Sequence, residues 1–224
     1  MIRRDYILRM LEEFFEILAR LNSLKQAQHW SEASRLLDGE FQRLTRTEAA
    51  SVTRLSETEL LARLIQGEPT QVVRDKTFIV SALLKEAGDV AAGAQRPDES
   101  RACYLKGLHL LLEALASGEP GDFPEFVPRV EMFVAALGDA PLPAATQVRL
   151  MQHYERAGEF GKAEDMLFSL LETDADKAAV LDFGMKFYER LQRLDDGRLA
   201  AGNLPREELE AGLTELRQRQ ALII

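Results

Sequence analysis

Tyr154-Glu155-Arg156-Ala157-Gly158-Glu159-Phe160 joins the end of one apolar-faced helix to the start of the next. Leu150 precedes it and Ala163 and Leu167 follow it at helical spacings, so two apolar-faced helices meet at a turn centred on Gly158. Ala163 is the small residue where the second helix must pass close to the first. The same spacing recurs twice upstream. Over 81–114, Leu84, Gly88, Ala91, Ser100 and Tyr104 keep it, with Gln95 at the turn. Over 14–47, Leu21, Leu24, Trp30, Ala33 and Leu37 keep it, with Gln28 at the turn.

These units, of about 34 residues each, resemble the tetratricopeptide repeat, in which small side chains let two antiparallel helices pack closely. They cover about 100 of 224 residues and are not contiguous. The unit over 144–177 is the clearest, whereas the middle one lacks the turn glycine and has Leu112 in place of the closing proline. The opening Met1-Ile2-Arg3-Arg4-Asp5-Tyr6-Ile7 and the stretches Phe187-Tyr188-Glu189-Arg190-Leu191 and Leu204-Pro205-Arg206-Glu207-Glu208 are also similar to those of a bacterial family of wholly helical, tetratricopeptide-like proteins with no established activity. That resemblance implies an architecture and no mechanism.

Strand signals are almost absent elsewhere in the chain, and the expected fold is all-α: a solenoid of antiparallel helix pairs, about ten helices in degenerate repeats. The first helix spans roughly 4–26, with Ile7, Leu11, Phe14, Leu18 and Leu21 as its core stripe. Met10, Ile17, Leu24 and Phe15 widen that face, so the helix must be covered on more than one side. A second helix is expected from Ser31 as N-cap, and Ser56 with Glu59 reads as a capping box before a short third helix. Further helices are expected near 70–92, 98–117, 128–137, 144–157, 161–172, 176–194 and 205–220. Between Gly118 and Pro143 five prolines and a net charge of −4 mark a break. The expected organisation is therefore N-terminal repeats over 1–117, a Pro-rich acidic connection over 118–143, and C-terminal repeats over 144–224, the two repeat regions forming one superhelix.

Charge limits the partners. Lys plus Arg number 28 against 37 Asp plus Glu, and a net charge of −9 repels phosphate backbones and anionic membrane surfaces. Neither nucleic acid nor membrane is an expected partner. The single cysteine, Cys103, fits a reducing cytoplasm. Arg9, Glu12, Glu13 and Glu16 interrupt the opening apolar run, which argues against a signal peptide.

Motifs for chemistry are missing. His29, His109 and His153 have no second ligand at metalloenzyme spacing, Cys103 sits in an apolar helix where a thiol behaves as a small hydrophobe, and no Gly-rich loop follows a strand. No catalytic residue, metal or cofactor is expected. The expectation is a non-catalytic protein–protein interaction module, an adaptor or scaffold of a bacterial cytoplasm, binding a protein or peptide. A structural homo-oligomer, pairing through the wide apolar face of the first helix, is the alternative, and a helical enzyme with an unrecognised site is a third reading.

Tetratricopeptide arrays line their groove with exposed positions of each repeat's first helix, which the resemblance maps to Lys85, Asp89, Gln152, Glu155 and Arg156. Arrays that clamp acidic C-termini set a lysine and an asparagine one turn apart on this face. Lys85 fits, but Asp89 replaces the asparagine and would repel a carboxylate, and the first unit has Leu18 and Asn22 there.

Overall fold

The structure, a computed structural model, describes residues 2–65, 70–116, 124–173 and 176–222. Among them are twelve helices and no strand, in two compact units, 1–140 and 141–224. The first unit holds α1 (Ile2–Gln26), α2 (Trp30–Thr45), α3 (Ala49–Val52), α4 (Glu57–Ile65), α5 (Thr70–Gly93), α6 (Pro97–Ala116) and α7 (Val130–Leu137). The second holds α8 (Ala144–Ala157), α9 (Phe160–Leu171), α10 (Lys177–Leu191), α11 (Asp196–Ala201) and α12 (Arg206–Ala221).

Three helix hairpins, α1/α2, α5/α6 and α8/α9, turn in the same way. Gln28, Gln95 and Gly158 all adopt the left-handed conformation, with φ of 59°, 60° and 78°. The next amide reaches back five residues each time: His29 N–H to Leu24 O at 2.9 Å, Arg96 N–H to Ala91 O at 2.8 Å, and Glu159 N–H to Tyr154 O at 2.8 Å. Each is a Schellman cap, which satisfies carbonyls that the first helix leaves open. Asn203, at φ 56°, repeats it after α11. Five residues beyond the three hairpin turns stand Ala33, Ser100 and Ala163, all buried, as the small residues the sequence pattern singles out.

In the first unit α5 and α6 form the central pair. A Cβ at Gly88 would fall on the Tyr104 ring, and one at Gly107 would lie 2.6 Å from Phe133 and 3.1 Å from Leu84 Cβ. The missing side chains are what allow α6 to approach α5 on one side and α7 on the other. Ser81 Oγ donates to Gly107 O at 2.8 Å inside this seam, so the buried hydroxyl keeps its hydrogen bond. The Trp30 ring of α2 packs on Gly93 of α5. Met10, Phe14 and Leu21 of α1 join Leu37 and Phe41 of α2, Leu60 and Leu64 of α4, and Leu83 and Leu84 of α5 in one apolar cluster. In the second unit the two turns touch directly: Gly161 N–H donates to Gly202 O at 3.0 Å, and a Cβ on Gly161 would meet Asn203 O at 2.5 Å.

The capping box is present: Glu59 N–H donates to Ser56 Oγ at 3.2 Å and Ser56 N–H to Glu59 Oε2 at 2.8 Å. Two expectations need correction. The described residues hold twelve helices where about ten were expected, because α3 and α11 are too short to display a helical period. Ser31 is not an N-cap; α2 begins at Trp30 with His29 before it, since the turn at Gln28 sets the helix start. Of the 118–143 connection, residues 118–123 lie outside the described ones, and α7, from its remainder, packs on α6 within the first unit.

Candidate interaction surface

Lys85 and Asp89 lie one turn apart on α5, and their charges are spent on each other. Lys85 Nζ is 2.7 Å from Asp89 Oδ2, and Lys25 of α1 reaches the same oxygen at 3.1 Å and Glu86 Oε2 at 2.5 Å. Tyr104 of α6 donates its hydroxyl to Asp89 Oδ1 at 2.8 Å. Two ammonium groups, two carboxylates and a phenol thus tie α1, α5 and α6 together, all half-buried or deeper. Burial acts to raise the Asp89 carboxyl, but the Lys85 bond and charge and the Tyr104 and Lys25 hydrogen bonds outweigh it and hold the group below its usual range. Burial likewise opposes the Lys25 ammonium, and Glu86 and Asp89 together leave it above its ordinary value. Lys25, Glu86 and Tyr104 are absent from the sequence-derived set, and Lys25 stands too far along the chain for any local spacing to reveal the link.

On α8, Gln152 and Arg156 are exposed one turn apart, the Arg156 Nε donating to the Gln152 backbone O at 3.1 Å. Glu155 points elsewhere. Both its carboxylate oxygens accept from Arg190 of α10, Nε at 2.6 Å and Nη2 at 2.8 Å, and this fork raises the Arg190 guanidinium above its ordinary value. Of the five residues mapped from sequence, Gln152 and Arg156 present their side chains to solvent, while Lys85, Asp89 and Glu155 are engaged within their own units.

Part of the wide apolar face of α1 is open. Leu8 and Phe15 are each 50% exposed, while Phe14 is buried. Phe126, in the irregular stretch before α7 and without a periodic signal, sets its ring edge-on to Phe15 at 5.9 Å and to Phe14 at 5.3 Å between centroids. An aromatic corner stands open where Phe15 meets Phe126.

Two further groups of the first unit, Glu57 and Cys103, have strongly shifted acidities. Glu57, at the start of α4, accepts on one oxygen from Lys106 Nζ at 3.1 Å and lies 3.0 Å from His109 Nδ1, both on α6. Burial opposes its charge, but its own backbone amide, His109 and Lys106 prevail and hold the carboxyl down to about 2, too weak a base to take a proton near neutrality. Burial, then Glu99, pushes the Cys103 thiol up to about 12, so it stays protonated. Among the described residues no three His, Cys, Asp or Glu side chains converge as a metal site, and no helix is long and apolar enough to cross a membrane.

No curated protein matches the chain, and no solved structure does. The sequence model of DUF6483, a family of unknown function, matches residues 1–221, and the chain belongs to that family.

Proposed function

We propose that this chain is a non-catalytic protein-interaction module of a bacterial cytoplasm, built from tetratricopeptide-like hairpins and serving as an adaptor or scaffold. The observation that carries the reading is the aromatic corner of α1, where Phe15 is half exposed beside Phe126, with Leu8 half exposed two turns earlier on the same helix. Exposed aromatic rings held by neighbouring rings bury much apolar area at little entropic cost, which is what binding hot spots require. Gln152 and Arg156 supply polar contacts on the second unit, and Lys85, Asp89 and Glu155 hold their helices in place. The net charge of −9 favours a protein over a nucleic acid as the partner.

Affinity capture with the wild-type chain, beside a Phe15→Glu variant and an Arg156→Glu variant of unchanged helical content, tests the reading. It stands if one partner, confirmed as purified protein, binds the wild type and is lost with Phe15→Glu. A concentration-dependent dimer in light scattering, abolished by Phe15→Glu, replaces it with self-assembly through α1. A monomer that binds nothing through this corner overturns it.

A further inference from the structure

Tyr188 of α10 is fully buried, and its hydroxyl donates to the Glu164 carboxylate of α9. The pair lies against the backbone of α12 at Gly212, where a Cβ would fall on the phenol oxygen and 2.5 Å from the carboxylate oxygen. Three helices therefore meet on one hydrogen bond, and glycine at 212 is what lets α12 seat over it. Three like charges act on this carboxylate. Asp165 comes from its own helix, and Glu208 and Glu215 come from α12. Glu215 shares Arg219 of α12, at 2.7 Å, with Glu172, at 2.9 Å, so its charge is partly offset. From α10 the facing group is the Tyr188 hydroxyl. Burial first, and then the three like charges, raise the Glu164 carboxyl above its ordinary value against the opposing Tyr188 bond.

We propose that the Glu164–Tyr188–Gly212 junction is a proton-operated latch on the last helix, closed when Glu164 carries a proton and loosened when it does not. A neutral carboxyl satisfies the buried phenol without confronting the carboxylates of α12. An ionised one places a half-buried negative charge opposite Glu208 and Glu215, and separation of α12 relieves both the repulsion and the desolvation. The folded-state value lies above the unfolded one, so this stabilisation is complete below the unfolded carboxylate range and is lost as pH rises through the folded value. The latch is internal to the second unit and stands apart from any reading of the partner.

Amide hydrogen exchange on the full chain, corrected for intrinsic exchange and referred to α5, measures it. Protection of α12 falls between a pH in the ordinary carboxylate range and one above the folded Glu164 value, while that of α5 does not. Glu164→Gln keeps the acid-like protection at both, and Glu208→Gln with Glu215→Gln moves the transition to lower pH. Flat protection of α12 in the wild type, or an unaltered pH dependence in Glu164→Gln, overturns the latch. Should Glu164→Gln lose helical content, the double variant decides alone, and an unmoved transition overturns it.

Discussion

Gln28 and Gln95 hold the same left-handed backbone, φ 59° and 60°, at the same step of two different helix hairpins. A side chain in this region costs about 1 kcal/mol relative to glycine, which the third hairpin uses at Gly158. The two glutamines carry that strain because the Schellman bonds on either side over-determine the turn.

Gln95→Gly is therefore expected to stabilise the first unit by up to about 1 kcal/mol, strain relief exceeding the added freedom of the unfolded chain. Gly158→Gln is expected to destabilise the second by about 1 kcal/mol. Urea unfolding of each variant beside the wild type checks both signs, and effects of the same sign at the two sites would dissociate the cost from φ.

Gly107→Ala drives a methyl into Phe133 and Leu84 and is expected to cost about 1–3 kcal/mol by overpacking. Combining it with Phe133→Leu should cost less than the two losses added together, since the smaller side chain vacates the contested space. A thermal-melt double-mutant cycle reads the difference.

How far these contacts were legible depends on their reach along the chain. The hairpins are visible because Ala33, Ser100 and Ala163 fall at fixed steps from the turns, and the Ser56–Glu59 box because its partners are three residues apart. Ser31 misleads, since a hydroxyl residue near a helix start matches the N-cap pattern whether or not an upstream turn has already begun the helix. The Lys25–Glu86–Asp89–Tyr104 network is invisible because it joins three helices across about sixty residues of chain. Phe126 lies in irregular chain, where no period announces that its ring will meet α1.

Acid should loosen the tie between α4 and α6. Glu57 is held at about 2 in the fold, below the ordinary carboxylate value of an unfolded chain, so its contribution is present above that ordinary value and is lost as pH falls toward 2. Glu57→Gln is expected to make the acid limb of a plot of Tm against pH shallower. A limb of unchanged slope would assign acid sensitivity to other carboxylates.

Cys103 should resist thiol reagents in the native state. Its burial and a thiol pushed up to about 12 leave almost no thiolate at neutral pH. Labelling by iodoacetamide is expected to be negligible in buffer and complete in denaturant. Fast native labelling would mean that α6 opens readily.

Trp30, the one tryptophan of the sequence, is the residue seated on Gly93 between α2 and α5. Its emission is therefore a dye placed by nature in the first unit alone. Fluorescence reports when α2 parts from α5 and is blind to α8 through α12, whereas circular dichroism weighs every helix. The distance between the two melting curves, one optical channel against the other, becomes a direct reading of whether the two halves of the chain unfold as one cooperative body or as two.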